Sequence, residues 1–237
     1  MSSNATEIDT LTVALTSDSL KKQLQAIYEL SQLDAVGDRI LVDFLKTELI
    51  EQKNMPTAVH GSTYQRICAS SLDLAQSIIH QYWPDGLLKP QSALGIDYSE
   101  LQTLLIQQDY QSADKLTMQK LCELAGERAI ARKWIYFTEV NQLPATDLQT
   151  IDTLWRLYSE DRFGWSKQRE LWIRLGKDWE RLWTQLVWKS VDGAWTRYPT
   201  EFVWDLSAPV GHLPLSNQLR GVRMMDSLLS HPAWDPV

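Results

Sequence analysis

Three residues near the C-terminus stand in a pattern that could hold an anion: Asn217, Arg220 and Arg223 follow one another at three-residue steps. On a helix that spacing makes one polar ridge, and Gly221 within it leaves room for close approach. Arginine suits a carboxylate because its planar fork donates two hydrogen bonds. The stretch leading into the ridge, residues 195–215, mixes Trp195, Tyr198, Phe202 and Trp204 with Pro, Gly and Ser. That composition describes a loop feeding a helix, and Tyr198 and Phe202 with neighbouring aliphatics could cover an apolar ring. On the residues alone, a carboxylate-binding ridge and a pair of surface ion pairs with Asp205 and Asp226 are equal alternatives.

The second chemical signal is aromatic. Ten of the eleven tryptophans lie at or beyond Trp134, so the C-terminal half relies on large ring faces that the N-terminal half does without. Trp165, Trp172 and Trp179 are spaced by seven and Trp183 follows four later, which stacks them on one helical side. Rings at core spacing pack far more often than they line a cofactor, so these four are expected in the core.

Catalytic patterns are wanting. His60, His80, His212 and His231 are scattered without metal-ligand spacing. They are expected to be solvated or to cap turns. His212, between Gly211 and Pro214, is expected to form hydrogen bonds rather than to bind a metal. No Gly-rich run carries the Lys and Ser or Thr of a phosphate loop, and the Glu160–Asp161 pair beside Arg162 is accounted for by a solvated helix end. The net charge of −7 argues against nucleic acid, yet residues 162–223 hold ten Lys and Arg against six Asp and Glu. A small anionic ligand suits that mildly basic stretch. The first ten residues, MSSNATEIDT, lack the charge and apolar run of a targeting peptide, and Cys68 and Cys122 sit in apolar helical patterns, so a reducing compartment without disulfides is expected.

The elements that must carry these residues are helical. Residues 19–52 read as a helical hairpin with Gly37 in the middle, and 62–82 as one amphipathic helix broken by Pro84, Gly86 and Pro90. That break marks a boundary between an N-terminal helical bundle, 1–86, and a C-terminal domain, 92–237. The hairpin resembles helical-repeat scaffolds loosely, but no second copy recurs at a fixed period, so an ordinary bundle is preferred. Further on, Asp97 is expected as an N-cap. Helices are predicted over 98–108, from the turn at 109–112 onward, and over 147–158, 166–175, 178–188 and 215–230. Residues 134–140 and 195–203 compete as strands but are short, so the fold class is all-α.

Five stretches, KLCELAGERA, WIYFTEV, FGWSKQRELW, EFVWDLSAPVGHLP and NQLRGVRMMDSLLSHPAW, closely resemble the genomes-uncoupled family of tetrapyrrole-binding regulators of magnesium chelatase. The resemblance covers roughly 92–234, and the N-terminal helices resemble the accessory bundle of the cyanobacterial members. It implies an all-α core shaped like a cupped hand, whose apolar palm binds protoporphyrin IX and magnesium protoporphyrin IX. It implies stimulation of magnesium chelatase through that enzyme's large porphyrin-binding subunit, with no catalysis and no catalytic cofactor in this chain. Carried over by motif, Phe137, Val140, Tyr198 and Phe202 would meet the porphyrin face, and Asn217, Arg220 and Arg223 its polar edge. Tyr198 stands where some members carry Trp, which keeps a stacking face but alters its preference among porphyrins. The chain ends soon after HPAWDPV, in keeping with the cyanobacterial form. A cytoplasmic monomer open to peripheral contact with membranes, and without affinity for nucleic acid, is expected. The alternative is a helical adaptor that acts by protein contact without a bound ligand.

Overall fold

The computed structural model describes residues 2–215 and 222–235, which form two compact units, 1–89 and 90–237. In the first unit the helices are α1 (Ser2–Ala14), α2 (Leu20–Leu30), α3 (Asp34–Lys46), α4 (Ala58–Cys68) and α5 (Asp73–Tyr82), with a wider π turn at Thr47–Glu51. Ile27, Leu30, Leu41, Leu45, Val59, Ile67 and Ile79 are buried between them. Tyr64 donates to the Trp83 carbonyl at 2.8 Å, which ties α4 to the end of α5.

Residues 2–14, whose start is read only for targeting, form α1. Two expectations for this half need correction. The helix predicted over 62–82 is two helices, because residues 69–72 turn at Ser70, which bonds Asp38 on α3 and accepts the Leu72 N–H. Gly37 does not separate the two helices of the hairpin. It lies inside α3, where an added Cβ would fall 1.7 Å from the Leu30 carbonyl oxygen. Here glycine serves a backbone crossing, and the turn is made at 31–33.

The second unit contains α6 (Ser99–Ile106), α7 (Tyr110–Ala125), α8 (Glu127–Arg132), α9 (Phe137–Val140), α10 (Ala145–Leu157), α11 (Trp165–Arg174), α12 (Trp179–Gln185) and α13 (Val222–Leu229), then a short 3-10 turn, Pro232–Trp234. No strand occurs among the described residues, only an isolated antiparallel bridge between Lys189 and Trp195. Asp97 caps one residue earlier than a standard N-cap, accepting from the Ser99 N–H at 2.9 Å. Asp109, expected in a turn, caps α7 through Ser112 at 3.0 Å. The helix expected over 178–188 stops at Gln185, and of that expected over 215–230 the described helical part is Val222–Leu229.

A polar spine joins α6, α7 and α10. Fully buried Asp147 accepts from Tyr98 at 2.7 Å, Ser92 at 2.5 Å and the Ala93 N–H at 2.9 Å. Tyr110 donates to the Tyr158 carbonyl at 2.7 Å, and Trp155 Nε1 donates to Thr117 at 3.0 Å. Buried polar groups are tolerable when each has a partner, so these bonds fix α7 against α10. Trp165, Trp172 and Trp183 are buried, as expected for core rings, and Trp179 is half-buried against Trp172.

Gly37→Ala tests the crossing in the first unit. Alanine gains about 1 kcal/mol of helix propensity, but the collision with backbone outweighs it. A net loss of about 2 kcal/mol is expected in urea unfolding, and a stabilised variant would contradict the close approach.

Candidate functional site

The second unit gathers the expected site residues into two groups. In the first, α13 packs along the single-turn α9. The Arg223 guanidinium lies 5.5 Å from the ring centroid of Phe137, within cation–π range. Phe137 remains 38% exposed, whereas Val140 is fully buried beneath that turn. One helical turn is unstable by itself, and Glu139 supplies what α9 lacks. Its Oε2 accepts from the Tyr136 N–H at 2.7 Å and from Arg132 Nη2 at 2.5 Å, while Arg132 also stacks over Trp134 and Tyr136.

The second group lies on the loop 195–215. Tyr198 is 46% exposed, and Phe202 is buried among Tyr198, Trp204 and His212, with ring centroids at 6.2, 5.9 and 5.5 Å. Phe202 and Trp204 therefore both pack against the half-exposed Tyr198 ring. Asn217 and Arg220 lie outside the described residues. Arg223 forms no ion pair with Asp205 or Asp226 among the described residues, and Asp205 accepts from the Ser207 N–H at 2.7 Å.

An irregular loop keeps a fixed shape only if its inward-facing backbone groups are paired. Here much of the pairing comes from α11 and from the turns after α10 and α12. The Gln168 amide nitrogen, on α11, donates to the Gly211 carbonyl at 2.9 Å and to that of Pro214 at 2.8 Å. Arg162 donates to the Ala208 carbonyl at 2.7 Å, and its own carbonyl accepts the Gly211 N–H at 2.7 Å. Gly164 N–H donates to the Leu213 carbonyl at 2.9 Å, and Trp188 Nε1 to that of His212 at 2.9 Å. Gly211 holds a φ of +81°, and a Cβ there would press within 2.9 Å of Leu171 and 3.0 Å of Leu186.

His212 fulfils its expected hydrogen-bonding role. Its Nδ1–H donates to the Leu186 carbonyl at 2.6 Å, which leaves Nε2 to accept the Val203 N–H at 3.3 Å. Burial lowers its pKa, so the neutral ring that both bonds need is the favoured form. His60 and His231 likewise accept backbone N–H groups, from Thr57 and Ala233. No cluster of metal-ligating side chains occurs among the described residues.

Asp114, on the buried face of α7, is a residue that no sequence pattern singled out. Its Oδ1 accepts the Leu215 N–H at 2.6 Å. Burial pushes its carboxyl up to about 7, against the opposing pull of that N–H and of Lys115. Its charge also helps to raise the phenol of Tyr198, after burial as the main cause. The signal was available: Tyr110, Asp114, Thr117 and Leu121 share one helical stripe that is otherwise suited to the core.

Comparison with known proteins places this arrangement. Residues 91–232 match the family described as GUN4-like. The chain belongs to that family. Residues 1–84 match the ARM-like repeat domain of the GUN4 N-terminus, which overturns the preference for an ordinary bundle over a repeat scaffold, while the helical class stands. A Ycf53-like protein of Synechocystis is 47% identical over 234 residues, spanning 99% of this chain and 98% of that one. A chloroplastic protein of Arabidopsis thaliana named as tetrapyrrole-binding is 39% identical over 145 residues, 58% of this chain and 55% of its own. The structure of GUN4 from Chlamydomonas reinhardtii aligns with a TM-score of 0.58 at 37% identity, covering 62% of this chain and 96% of that one. The GUN4-like core and its all-α class are thereby shown, as the FTEV, DLSAP and NQLRGVR stretches implied.

Two stability measurements test the support beneath the GUN4-like loop. Gln168→Leu strands two buried carbonyls and is expected to cost about 2 to 4 kcal/mol in urea unfolding; a neutral result would show that the loop does not depend on this amide. For Asp114 the folded pKa lies above the unfolded one, so the neutral form favours folding. That contribution is complete below about pH 4 and is lost as pH rises toward 7. Asp114→Asn should therefore gain stability over the native chain progressively from pH 4 to 7 and level off above. A gain independent of pH would contradict the assignment.

Proposed function

We propose that this chain is a porphyrin-binding regulator that takes up protoporphyrin IX and magnesium protoporphyrin IX. It stimulates magnesium chelatase through that enzyme's large porphyrin-binding subunit and catalyses nothing itself. The observation that carries this reading is Arg223 lying over the half-exposed ring of Phe137, a cation and an apolar face side by side. A macrocycle with an apolar ring and peripheral carboxylates has the complementary chemistry. Membership of the GUN4-like family and the name of the Arabidopsis relative support it further.

In this reading Phe137 and Tyr198 offer their exposed faces to the ring. Val140 and Phe202, both buried, hold those faces in place. Arg223, with Asn217 and Arg220 on the same sequence ridge, meets the propionates. Burying about 300 Å² of ring at ~25 cal/mol/Å² contributes roughly 7 kcal/mol before the costs of association, which suits reversible micromolar binding. Charged contacts at an open rim add little, on the order of 1 kcal/mol or less each, so the ligand can pass to a partner. No described helix is long and apolar enough to cross a membrane.

Titration of protoporphyrin IX against tryptophan fluorescence tests the reading. Loss of the Phe137 face and the Arg223 charge together should weaken binding by about ten- to a hundredfold, from roughly 1.4 to 3 kcal/mol. Unchanged affinity in Phe137→Ala/Arg223→Ala would remove this site. A native chain that binds no porphyrin yet stimulates the chelatase would favour an adaptor acting by protein contact.

A further inference from the structure

We propose that a trough between α10 and α11 is a docking site for an extended polypeptide segment of a partner protein, recognised mainly through its main chain. The trough encloses about 570 Å³, within the ordinary range for binding sites. None of Phe137, Val140, Tyr198, Phe202 and Arg223 lines it, so it stands apart from the porphyrin reading.

Its walls follow from helical spacing. Gln149, Asp152, Thr153 and Arg156 fall at i, i+3, i+4 and i+7 on α10, and Ser166, Arg169, Glu170 and Ile173 do the same on α11, so each set shares one face. The polar groups are held in place by bonds to the fold. Gln149 Nε2 donates to the Ala233 carbonyl at 2.8 Å, Arg169 Nε to that of Leu229 at 3.0 Å, and Arg156 Nε to Asp161 at 2.7 Å. Buried Asp152 accepts from the Ser166 N–H at 2.8 Å and its hydroxyl at 2.6 Å. Each anchoring bond uses one edge of its group. The Gln149 oxygen and the Arg156 Nη groups have no hydrogen-bond partner among the described residues, and Arg169 Nη2 has only a 3.6 Å contact with exposed Asp235. Trp234, half-buried against Trp165, is fixed by its own Nε1 on the Leu228 carbonyl at 2.6 Å. The side chains are thus set in position before any ligand arrives, which lowers the cost of binding.

The mixture on the walls selects the occupant. Donors on Arg156 and Arg169 stand with acceptors on Gln149 and Glu170, and the charges are matched locally: Asp161 pairs with both Arg156 and Lys167, and Lys167 with Glu170. A simple anion or cation gains little there. The large apolar side chains on the walls are Ile173 and Trp234, too few to take a porphyrin or the apolar stripe of a helix. A peptide main chain offers an N–H and a C=O at nearly every residue, which walls of both kinds satisfy together. The arginine Nη groups then donate charge-assisted bonds to its carbonyls. Seven residues of helix give walls about 10 Å long, room for about three residues of extended chain at ~3.3 Å each. Alternate side chains of such a segment point the same way, so one aromatic or branched aliphatic side chain meets Ile173 and Trp234.

The test uses the full chain labelled with 15N and an acetylated, amidated, electrically neutral peptide of glutamate, leucine, lysine and tyrosine. On titration the Trp234 indole N–H and the Nε–H resonances of Arg156 and Arg169 should shift together and saturate, while that of Arg223 stays still. The same peptide with its internal peptide bonds N-methylated keeps every side chain but loses main-chain donors, and should bind about tenfold more weakly. The four free amino acids should shift nothing. Thr153→Trp, at an exposed position on α10, fills the trough and should abolish the shifts, with urea unfolding and protoporphyrin IX titration as in the native chain. Ile173→Ser, also at an exposed position, should weaken the peptide several-fold. Shifts that are absent in the native chain, that persist in Thr153→Trp, or that are equal for the N-methylated peptide overturn the proposal. Equal shifts from the free amino acids would assign the trough to a small zwitterion, and shifts on raising the protein concentration alone would assign it to a second copy; either overturns the partner segment. A chain that binds no porphyrin but shows the peptide shifts loses the proposed function and keeps this site.

Discussion

The amide nitrogen of one buried glutamine, Gln168, holds the carbonyls of Gly211 and Pro214 together, and the candidate site depends on that bond pair more than on any single apolar contact. The loop 195–215 has no regular structure to satisfy its own backbone. Long loops inside compact domains are uncommon for that reason and are usually functional. This one is made rigid by side chains from α11, from the turns after α10 and α12 and from the loop itself: Gln168, Arg162, Trp188 and His212 between them pair five of its backbone groups. With the backbone fixed, Phe202 keeps its place against Tyr198, whose ring stays half-exposed.

The other group of candidate residues uses a different device. α9 is one turn long and has no stability of its own, so Glu139 closes it locally and α13 covers it. Arg132 lies over Trp134 and Tyr136, and Arg223 over Phe137. Both arginines thus pair a guanidinium with an aromatic face. In the proposed reading, such pairs suit a flat ligand that is apolar at its centre and anionic at its rim, because each contact is weak and several at once decide binding. In the proposed reading that weakness is useful: a ligand held by many exposed contacts is released more readily than one locked by a buried ion pair.

Much of this was legible from residue spacing. The period of 3.6 located α2, α3, α10 and α11 within a few residues, and the spacing of Trp165, Trp172 and Trp183 marked them as core. The matched motifs pointed to the family, whereas the spacing of Asn217, Arg220 and Arg223 alone left a carboxylate ridge and surface ion pairs as equal alternatives. What stayed hidden was nonlocal. The bonds from Gln168 span 43 and 46 residues, and nothing in FGWSKQRELW announces which carbonyl a buried glutamine will meet. Gly37 looked like punctuation because a glycine that admits a neighbouring backbone and one that ends a helix are the same letter. Asp114 was legible in principle, as a lone carboxylate on an apolar stripe. Periodicity arguments search that stripe for hydrophobic residues and pass over its exception.

If the loop is held in place by the protein rather than by its ligand, its amides must already be protected in the free chain. Hydrogen exchange of the Gly211 and Gly164 amides, which donate to the Arg162 and Leu213 carbonyls, is the direct measure. The account predicts exchange slowed to the level of the α11 interior without any porphyrin present. Exchange at the rate of an unstructured chain, slowed only when porphyrin is added, would contradict it.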